Sequence, residues 1–298
     1  MKVVIWREHH IKEKNFLLLL SLAVGVICGF AAQLLKFLIH VISGVLTSHI
    51  SATTANYLYL LYPVAGILIV TLFLRYVVKE NISHGVTKVL YAISRHKSRL
   101  KKRNMYASLV ASSITIGFGG SVGAEGPIVF TGAAIGSNVG QAFRLSPRIL
   151  MILVGCGAAA GIAGIFRAPI AGMLFTLEVL MIDLTGLTVM PLLFSSVAGA
   201  VVAYVLEGYN AEFFFVQSEP FLTNKIPYTV LLGVVCGLMS YYFTKVMFMM
   251  ESMFRKLKYQ GVKILIGGLI MAGLIFLFPP LYGCLLYTSP SPRDISGS

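Results

Sequence analysis

The chain has 298 residues, of which 57% are hydrophobic and only 12% charged, and its formal net charge is +13. A soluble domain carries roughly 25% charged residues, so this composition excludes an ordinary soluble protein. Apolar runs long enough to cross the roughly 30 Å hydrocarbon core of a bilayer recur along the chain. The sequence therefore predicts an all-α, polytopic membrane protein.

The positive charge does not indicate nucleic-acid binding, because the cations are concentrated between the apolar runs. One group lies in residues 2–14, before the first run, and a second lies in residues 88–103. Positively charged loops stay on the cytoplasmic side of a membrane, and two apolar runs separate the two groups. This parity predicts a multi-pass protein of the inner or plasma membrane with a cytoplasmic N-terminus.

In chain order, four uninterrupted apolar runs are candidate membrane spans: Phe16–Ile42, Tyr57–Val78, Leu187–Leu206 and Val262–Phe278. After the second run, the pattern predicts a turn and then a short amphipathic helix from about Val86 to Lys97. Two further runs, Met105–Phe143 and Ile149–Ile182, are long, but each contains an interruption. Interrupted helices with inward-pointing N-termini are a common way to build an ion site inside a membrane.

The first interruption is the glycine-rich segment Gly117–Gly123, which a regular helix cannot include. Glu125 follows it and is the only charged residue between Arg103 and Arg144. Pro127 suits the first turn of a new helix, whose free N–H groups attract anions. Because an acid at bilayer depth is costly, Glu125 is a functional-site hypothesis.

The second interruption is the segment Gly164–Gly172, in which Pro169 predicts the start of a helix that contains Glu178. Arg167, within the interruption, is interpreted as a snorkelling or cytoplasmic anchor. Upstream of it, Gly157 and Gly161 have the small-xxx-small spacing that lets two helix backbones approach closely.

These motifs resemble the signatures of the CLC family of chloride channels and chloride/proton exchangers. Residues 120–127 are similar to its second signature, residues 164–172 with Glu178 to its next, and residues 84–86 fall where its first, Gly-Ser-Gly-Ile-Pro, would stand. The resemblance covers roughly residues 10–284. It implies inverted repeats of broken helices in the bilayer, a homodimeric full-length parent, and chloride or a similar small anion as the transported partner.

Carried over from the family, the gating role falls on Glu125, and Glu178 becomes a candidate for a proton path. The resemblance implies no cofactor, no metal ion and no catalytic residue. The expected anion-binding residues are Ser83, His84, Gly85, Val86, Gly123, Ala124 and Gly126. The residues expected to break or pack the helices are Gly120, Ser121, Pro127, Gly164, Phe166, Pro169 and Gly172.

Several positions depart from the family pattern. His84 and Thr87 replace the serine and the proline of the first signature, and Ala124 replaces an arginine that often precedes the gate. Val179 stands where proton-coupled members carry a second glutamate. The interpretation is therefore a gated chloride channel, with a chloride/proton antiporter as the alternative. An intramembrane enzyme, a cation transporter and an inactive fragment are the other hypotheses.

The family pattern also predicts how the chain is organised. Residues 1–283 form a membrane domain, with a first repeat at about 10–206 and the start of a second at about 226–283. Residues 284–298 resemble a translated adapter rather than a membrane segment, and the chain is expected to be a shortened version of a longer protein.

Overall fold

The computed structural model describes residues 13–47, 58–79, 85–183, 185–208, 225–278 and 281–282. Within these ranges the chain forms ten α-helices and one π-helical turn, Leu74–Val78, and no strand. The α-helices are α1 (Glu13–Thr47), α2 (Leu58–Phe73), α3 (Gly85–Arg95), α4 (Asn104–Gly117), α5 (Glu125–Ala142), α6 (Pro147–Phe166), α7 (Pro169–Val179), α8 (Gly186–Glu207), α9 (Ile226–Lys256) and α10 (Gln260–Leu277). This confirms the predicted all-α class.

Five helices in the described ranges are long and apolar enough to cross a membrane. Three of them, in α1, in α2 with its π-helical turn, and in α8, match predicted spans. Another is α6, the unbroken first part of an interrupted run. The fifth, α9, was not among the predicted spans, whereas the predicted span Val262–Phe278 corresponds to the shorter apolar helix α10.

The chain divides into two compact units, of which the first comprises Met1–Glu212 and Met271–Ser298. Its central helix is α6, which packs against α1, α5, α7 and α8 and is buried over most of its length. The second unit, Phe213–Ile270, contains α9 and most of α10. No residue of α9 is buried.

Glycines bring α5 and α6 into backbone contact. A Cβ atom at Gly132 would overlap the carbonyl oxygen of Gly157, and a Cβ atom at Gly157 would overlap that of Gly132. One turn away, Gly136 meets the carbonyl of Leu153 in the same way. Gly161 packs against Ile128, also on α5. The predicted close packing at Gly157 and Gly161 is confirmed, and α5 is the partner helix.

Contacts within the first unit define two ends of the bundle. At one end, the rings of Phe16 and Phe143 lie 5.5 Å apart, which places the start of α1 beside the end of α5. The same end of α5 binds the α3–α4 loop, since Gln141 donates a hydrogen bond to the carbonyl of Leu100. At the other end, Lys36 of α1 contacts Glu207 at the end of α8.

Both predicted helix breaks occur. The chain leaves α4 after Gly117 and re-enters a helix at Glu125, with Pro127 in the first turn. Within this break, Gly119 has φ +86°, a left-handed conformation that favours glycine. The second break is shorter: α6 ends at Phe166, Arg167 has φ +54°, and α7 starts at Pro169.

Candidate functional site

The starts of α3 and α5 meet inside the first unit. A Cβ atom at Gly85, the first residue of α3, would lie 2.9 Å from the carbonyl oxygen of Gly126 and 3.0 Å from Cβ of Phe130. No side chain caps the start of α5, where Ala124 is the N-cap residue. The first N–H groups of a helix have no partner within it and carry a partial positive charge. Two such starts in contact form a place that attracts an anion.

A carboxylate lies at this place. Glu125 is the first residue of α5 and is half-buried. Its side chain folds back over the preceding loop, so that a Cβ atom at Gly123 would overlap Oε2 of Glu125. Glycine at position 123 therefore gives the carboxylate its space. In the part of the chain that the structure describes, no side chain donates a hydrogen bond to this carboxylate.

The loop before Glu125 is partly open. Ser121 and Val122 are exposed, Gly123 is half-buried and Ala124 is buried. Gly120 donates from its N–H to the carbonyl of Thr115 at 2.8 Å, which turns the chain back on the end of α4. The loop thus separates a largely buried helix start from the exposed surface by a few residues, most of them small.

Of the other residues predicted to bind an anion, Gly85 lies at the site and Val86 follows it, half-buried, in the first turn of α3. Ser83 and His84 lie outside the described residues. Gly126 leaves open space around its Cα, since a Cβ atom there would meet no other heavy atom within 4 Å. Pro127 is half-buried, and its carbonyl accepts a hydrogen bond from Ser108 of α4 at 3.4 Å.

The residues of the second break contact neighbouring helices and not the place where α3 and α5 meet. Gly164 lies in the last turn of α6, against Ala32 of α1. Its carbonyl accepts a hydrogen bond from the buried amide of Gln33 at 3.1 Å. Phe166 ends α6, Pro169 begins α7, and Gly172 lies inside α7 against the carbonyl of Ala159. Gly172 is therefore a packing residue within a helix.

Glu178, the candidate for a proton path, lies on α7 as predicted, and its side chain is exposed. The reason is the narrow buried stripe of this helix, which consists of Gly172, Thr176 and Leu177. Glu178 falls outside that stripe, and Val179, beside it, is half-buried. The described residues contain no group of three or more His, Cys, Asp and Glu side chains that could hold a metal ion.

Arg167, interpreted from the sequence as a snorkelling or cytoplasmic anchor, belongs to a partly buried ion network. Its side chain is 10% exposed and pairs with Glu207, which also accepts from Lys36 at 3.1 Å. Tyr204 donates to the carbonyl of Arg167 at 2.9 Å. The network lies at the end of the bundle opposite to the basic α3–α4 loop. Sequence reasoning missed it because Lys36 and Arg167 lie 171 and 40 positions from Glu207 along the chain.

A second residue that the sequence did not indicate is Tyr282. Its ring lies against Gly119, so that any side chain at position 119 would overlap it. The signal available in the sequence was only an aromatic residue shortly after two prolines, Pro279 and Pro280. The glycine loop is thus bordered by a ring from a distant part of the chain.

The fold and the site define a multi-pass membrane protein in which two helix starts and a carboxylate share one place. A family model described as voltage gated chloride channel matches residues 65–288. The chain belongs to this family, whose members transport anions. The match ends five residues inside the segment 284–298 that the sequence suggested was not native.

Curated relatives agree with this assignment. A putative chloride channel protein ClcB-like from Ralstonia nicotianae is 30% identical over 75% of this chain and 53% of its own length. An H(+)/Cl(-) exchange transporter ClcA from Vibrio cholerae is 25% identical over 88% of this chain and 59% of its own length. The chain therefore spans between half and three fifths of these relatives.

Solved structures share the fold. A slow cyanobacterial Cl-/H+ antiporter superimposes with a TM-score of 0.76, at 21% identity, over 96% of this chain and 70% of its own. A CLC-type fluoride/proton antiporter gives a TM-score of 0.73 at 24% identity, over 89% of this chain and 66% of its own. Both likenesses concern the helical architecture.

Proposed function

We propose that the chain forms the chloride-binding half of an anion transporter, in which Glu125 and the anion compete for one place. The observation that carries the proposal is the contact between the starts of α3 and α5, with the Glu125 carboxylate at the same point. A carboxylate and a chloride ion are both anions, and both are attracted to the free N–H groups of a helix start. Only one of them can occupy the N–H groups at a time.

The carboxylate leaves its position when it loses its charge. A protonated Glu125 is neutral, so the helix starts hold it less strongly, and an anion can take its place. No described side chain donates a hydrogen bond that would oppose its departure. Proton uptake by Glu125 and anion entry are then linked in a single exchange event.

We infer from this linkage that transport is chloride/proton exchange rather than passive conduction. A relative that covers 88% of this chain is named as an H(+)/Cl(-) exchange transporter, which supports the inference. One observation favours the second candidate, a passive channel. Val179 cannot carry a proton, and in the family pattern that position holds the second proton-carrying glutamate. Glu178, exposed on the same helix, is the nearest alternative along the chain.

The first experiment tests the role of Glu125. The complete protein is reconstituted in liposomes, and chloride efflux is measured over a range of pH. We expect Glu125→Gln to conduct chloride without the pH dependence of the unmodified protein. Asp183→Asn, which removes an exposed carboxylate without a proposed role, is the matched control and should keep that dependence. An unchanged pH dependence in Glu125→Gln would contradict the assignment.

A second experiment separates exchange from conduction. The reversal potential is measured under opposed chloride and proton gradients. Exchange predicts that the reversal potential moves with the proton gradient in a fixed ratio, and Glu178→Gln should reduce this movement if Glu178 relays the proton. A reversal potential that follows the chloride gradient alone would reject exchange and leave the passive channel.

Two further expectations belong to the same proposal. The basic α3–α4 loop lies at the end where α1 begins, so the positive-inside rule predicts that the N-terminus is cytoplasmic. A homodimer is implied by the family resemblance. Accessibility of a single introduced cysteine near residue 14 tests the first expectation, and cross-linking in native membranes tests the second.

A further inference from the structure

The end of the bundle that faces away from Glu125 carries a group of exposed cations on a fixed backbone. The group comprises Arg95, Lys97, Arg99 and Lys102 in the α3–α4 loop, and Arg144 and Arg148 at the α5–α6 turn, all of them exposed. We call these six residues the basic rim. In residues 85–148 the only carboxylate is Glu125, at the opposite end of α5. Glu13 and Lys14, both exposed at the start of α1, offset each other there.

The loop that displays these cations is anchored to α5 by a buried hydroxyl. Ser137 is fully buried; its Oγ donates to the carbonyl of Ser98 at 2.7 Å and accepts from the N–H of Leu100 at 2.9 Å. Gln141 donates to the same hydroxyl at 3.0 Å and to the carbonyl of Leu100 at 3.1 Å. These bonds satisfy three backbone groups of the loop: the carbonyl of Ser98 and the N–H and carbonyl of Leu100.

The anchoring decides which side chains point outward. Ser98 and Leu100 are buried against α5. Lys97, before them, and Arg99, between them, are exposed. Lys97 and Ser98 have φ of +50° and +62°, two consecutive left-handed residues that turn the chain sharply. Such a conformation costs energy outside glycine; here it is held by the bond from Ser137 and by backbone bonds from Ser98 to Ala92 and from Arg99 to His96. The cations are therefore arranged in advance rather than carried on a loose loop.

The surroundings of the basic rim are those of a membrane surface. Tyr91 and Tyr106 are exposed on the helices that flank the loop, and tyrosine is enriched at the level of lipid headgroups. Cations next to a membrane attract the negative charge of anionic lipids. Arginine and lysine bind the phosphate oxygens of such lipids by charge-assisted hydrogen bonds.

We propose that the basic rim, held in shape by Ser137 and Gln141, is a binding site for the phosphate headgroups of anionic phospholipids. The site is separate from the place where α3 and α5 meet, and the proposal does not depend on what the protein transports. Anionic lipid bound there would fasten the α3–α4 loop to the bilayer surface and stabilise the bundle through α5.

The test uses the protein in nanodiscs of phosphatidylcholine with increasing phosphatidylglycerol. Its melting temperature should rise with phosphatidylglycerol. A variant that combines Arg95→Gln, Lys97→Gln, Arg99→Gln and Lys102→Gln should lose most of this rise, because the headgroup ligands are gone while the buried contacts remain. The matched control combines Lys245→Gln, Arg255→Gln, Lys256→Gln and Lys258→Gln, which removes the same charge from exposed positions of the second unit.

The control should keep the rise, and an equal loss in the control would show that net charge rather than a site is responsible. Ser137→Ala keeps every cation but releases the loop, so it should lose part of the rise; a rise equal to that of the unmodified protein would overturn the built site. Inorganic phosphate added to pure phosphatidylcholine discs distinguishes the source. Stabilisation by phosphate as large as that by phosphatidylglycerol would overturn the proposal of a lipid site.

Discussion

Glycines serve opposite purposes in two regions of this molecule. On α5 and α6, Gly132 and Gly157 let two backbones touch, and no space remains between them. In the loop before α5, Gly123 keeps space empty, and the Glu125 carboxylate lies in it. A side chain is excluded at both places, but for different reasons. In the first region it would separate two helices, and in the second it would displace one movable side chain.

The largest expected effect is in the helix pair. Gly157→Ala places a methyl group against the carbonyl of Gly132, and both backbones are fixed by the surrounding bundle. We predict a loss of stability of about 2–3 kcal/mol, the upper part of the range for overpacked cores, seen as a lower melting temperature in detergent. Gly237→Ala on the exposed helix α9, where nothing lies within 4 Å, should instead be neutral or gain roughly 0.5–1 kcal/mol. Equal behaviour of the two variants would contradict the close contact.

The next largest effect is expected at Arg167 in the ion network, a position where the backbone conformation favours glycine. Arg167 ends α6 with φ +54°, a conformation that glycine adopts without strain. Arg167→Gly relieves roughly 1 kcal/mol of backbone strain but leaves Glu207 with only Lys36. Breaking a buried pair costs about 3–5 kcal/mol, and the 25% exposure of the Glu207 side chain reduces this cost. We therefore predict a net destabilisation in thermal melting.

The control for this variant is Met181→Gly. Met181 has φ +52°, is 82% exposed and forms no ion pair. Replacing it relieves the same backbone strain and removes little packing, so stability should be unchanged or slightly higher. If Arg167→Gly is as stable as Met181→Gly, the network contributes nothing and the comparison between the two positions fails.

In the loop before α5, we expect a smaller effect on stability but a large effect on the position of the Glu125 carboxylate. In Gly123→Ala the new methyl group overlaps the Glu125 carboxylate, and overlap of this kind costs about 1–3 kcal/mol. That energy corresponds to a roughly five- to 150-fold lower occupancy of the observed carboxylate position. The variant should transport chloride with a weakened pH dependence, in the direction of Glu125→Gln, and with nearly normal melting.

Gly126→Ala is the matched control for the loop, because a Cβ atom there meets no heavy atom within 4 Å. It adds the same methyl group three residues away without touching the carboxylate. Its pH dependence should equal that of the unmodified protein. A change in Gly126→Ala as large as that in Gly123→Ala would show that the loop responds to any substitution, and not to displacement of Glu125.

The sequence predicted each of these regions in part. The spacing of Gly157 and Gly161 indicated a close helix contact, because local spacing determines which residues share a helix face. It could not indicate that Gly132 is the partner, since the choice of neighbouring helix depends on the packing of the whole bundle. The glycine-rich break and Glu125 were recognised for the same local reason. The meeting of Gly85 with Gly126 is a long-range contact that no local pattern specifies.

Charged residues were harder to interpret than glycines. Arg167 was read from its neighbours along the chain, although its partners Lys36 and Glu207 come from two other helices. Glu178 lies on an apolar helix, but that helix buries only a narrow stripe, and the sequence does not show on which side of it Glu178 falls. The environment of an ion depends on which faces of different helices meet. For this reason the two helix breaks were easier to predict than the paired ions.

The smallest expected effect tests whether the contact between α5 and α6 contains water. Thr131 precedes Gly132 on α5, is 1% exposed, and its hydroxyl has no hydrogen-bond partner among the described residues. A hydroxyl buried without a partner costs about 1–3 kcal/mol, so Thr131→Val, which keeps the shape and removes the hydroxyl, should be neutral or stabilising by about 1 kcal/mol. Thr131→Ser keeps the hydroxyl and deletes a buried methyl group, and it should destabilise by roughly 1 kcal/mol. Thermal melting of both variants in detergent measures the difference.

If Thr131→Val is the less stable of the two, a water molecule must bind the hydroxyl. The contact around Gly132 would then contain polar space, as the loop around Gly123 does, and the distinction between the two groups of glycines would be lost.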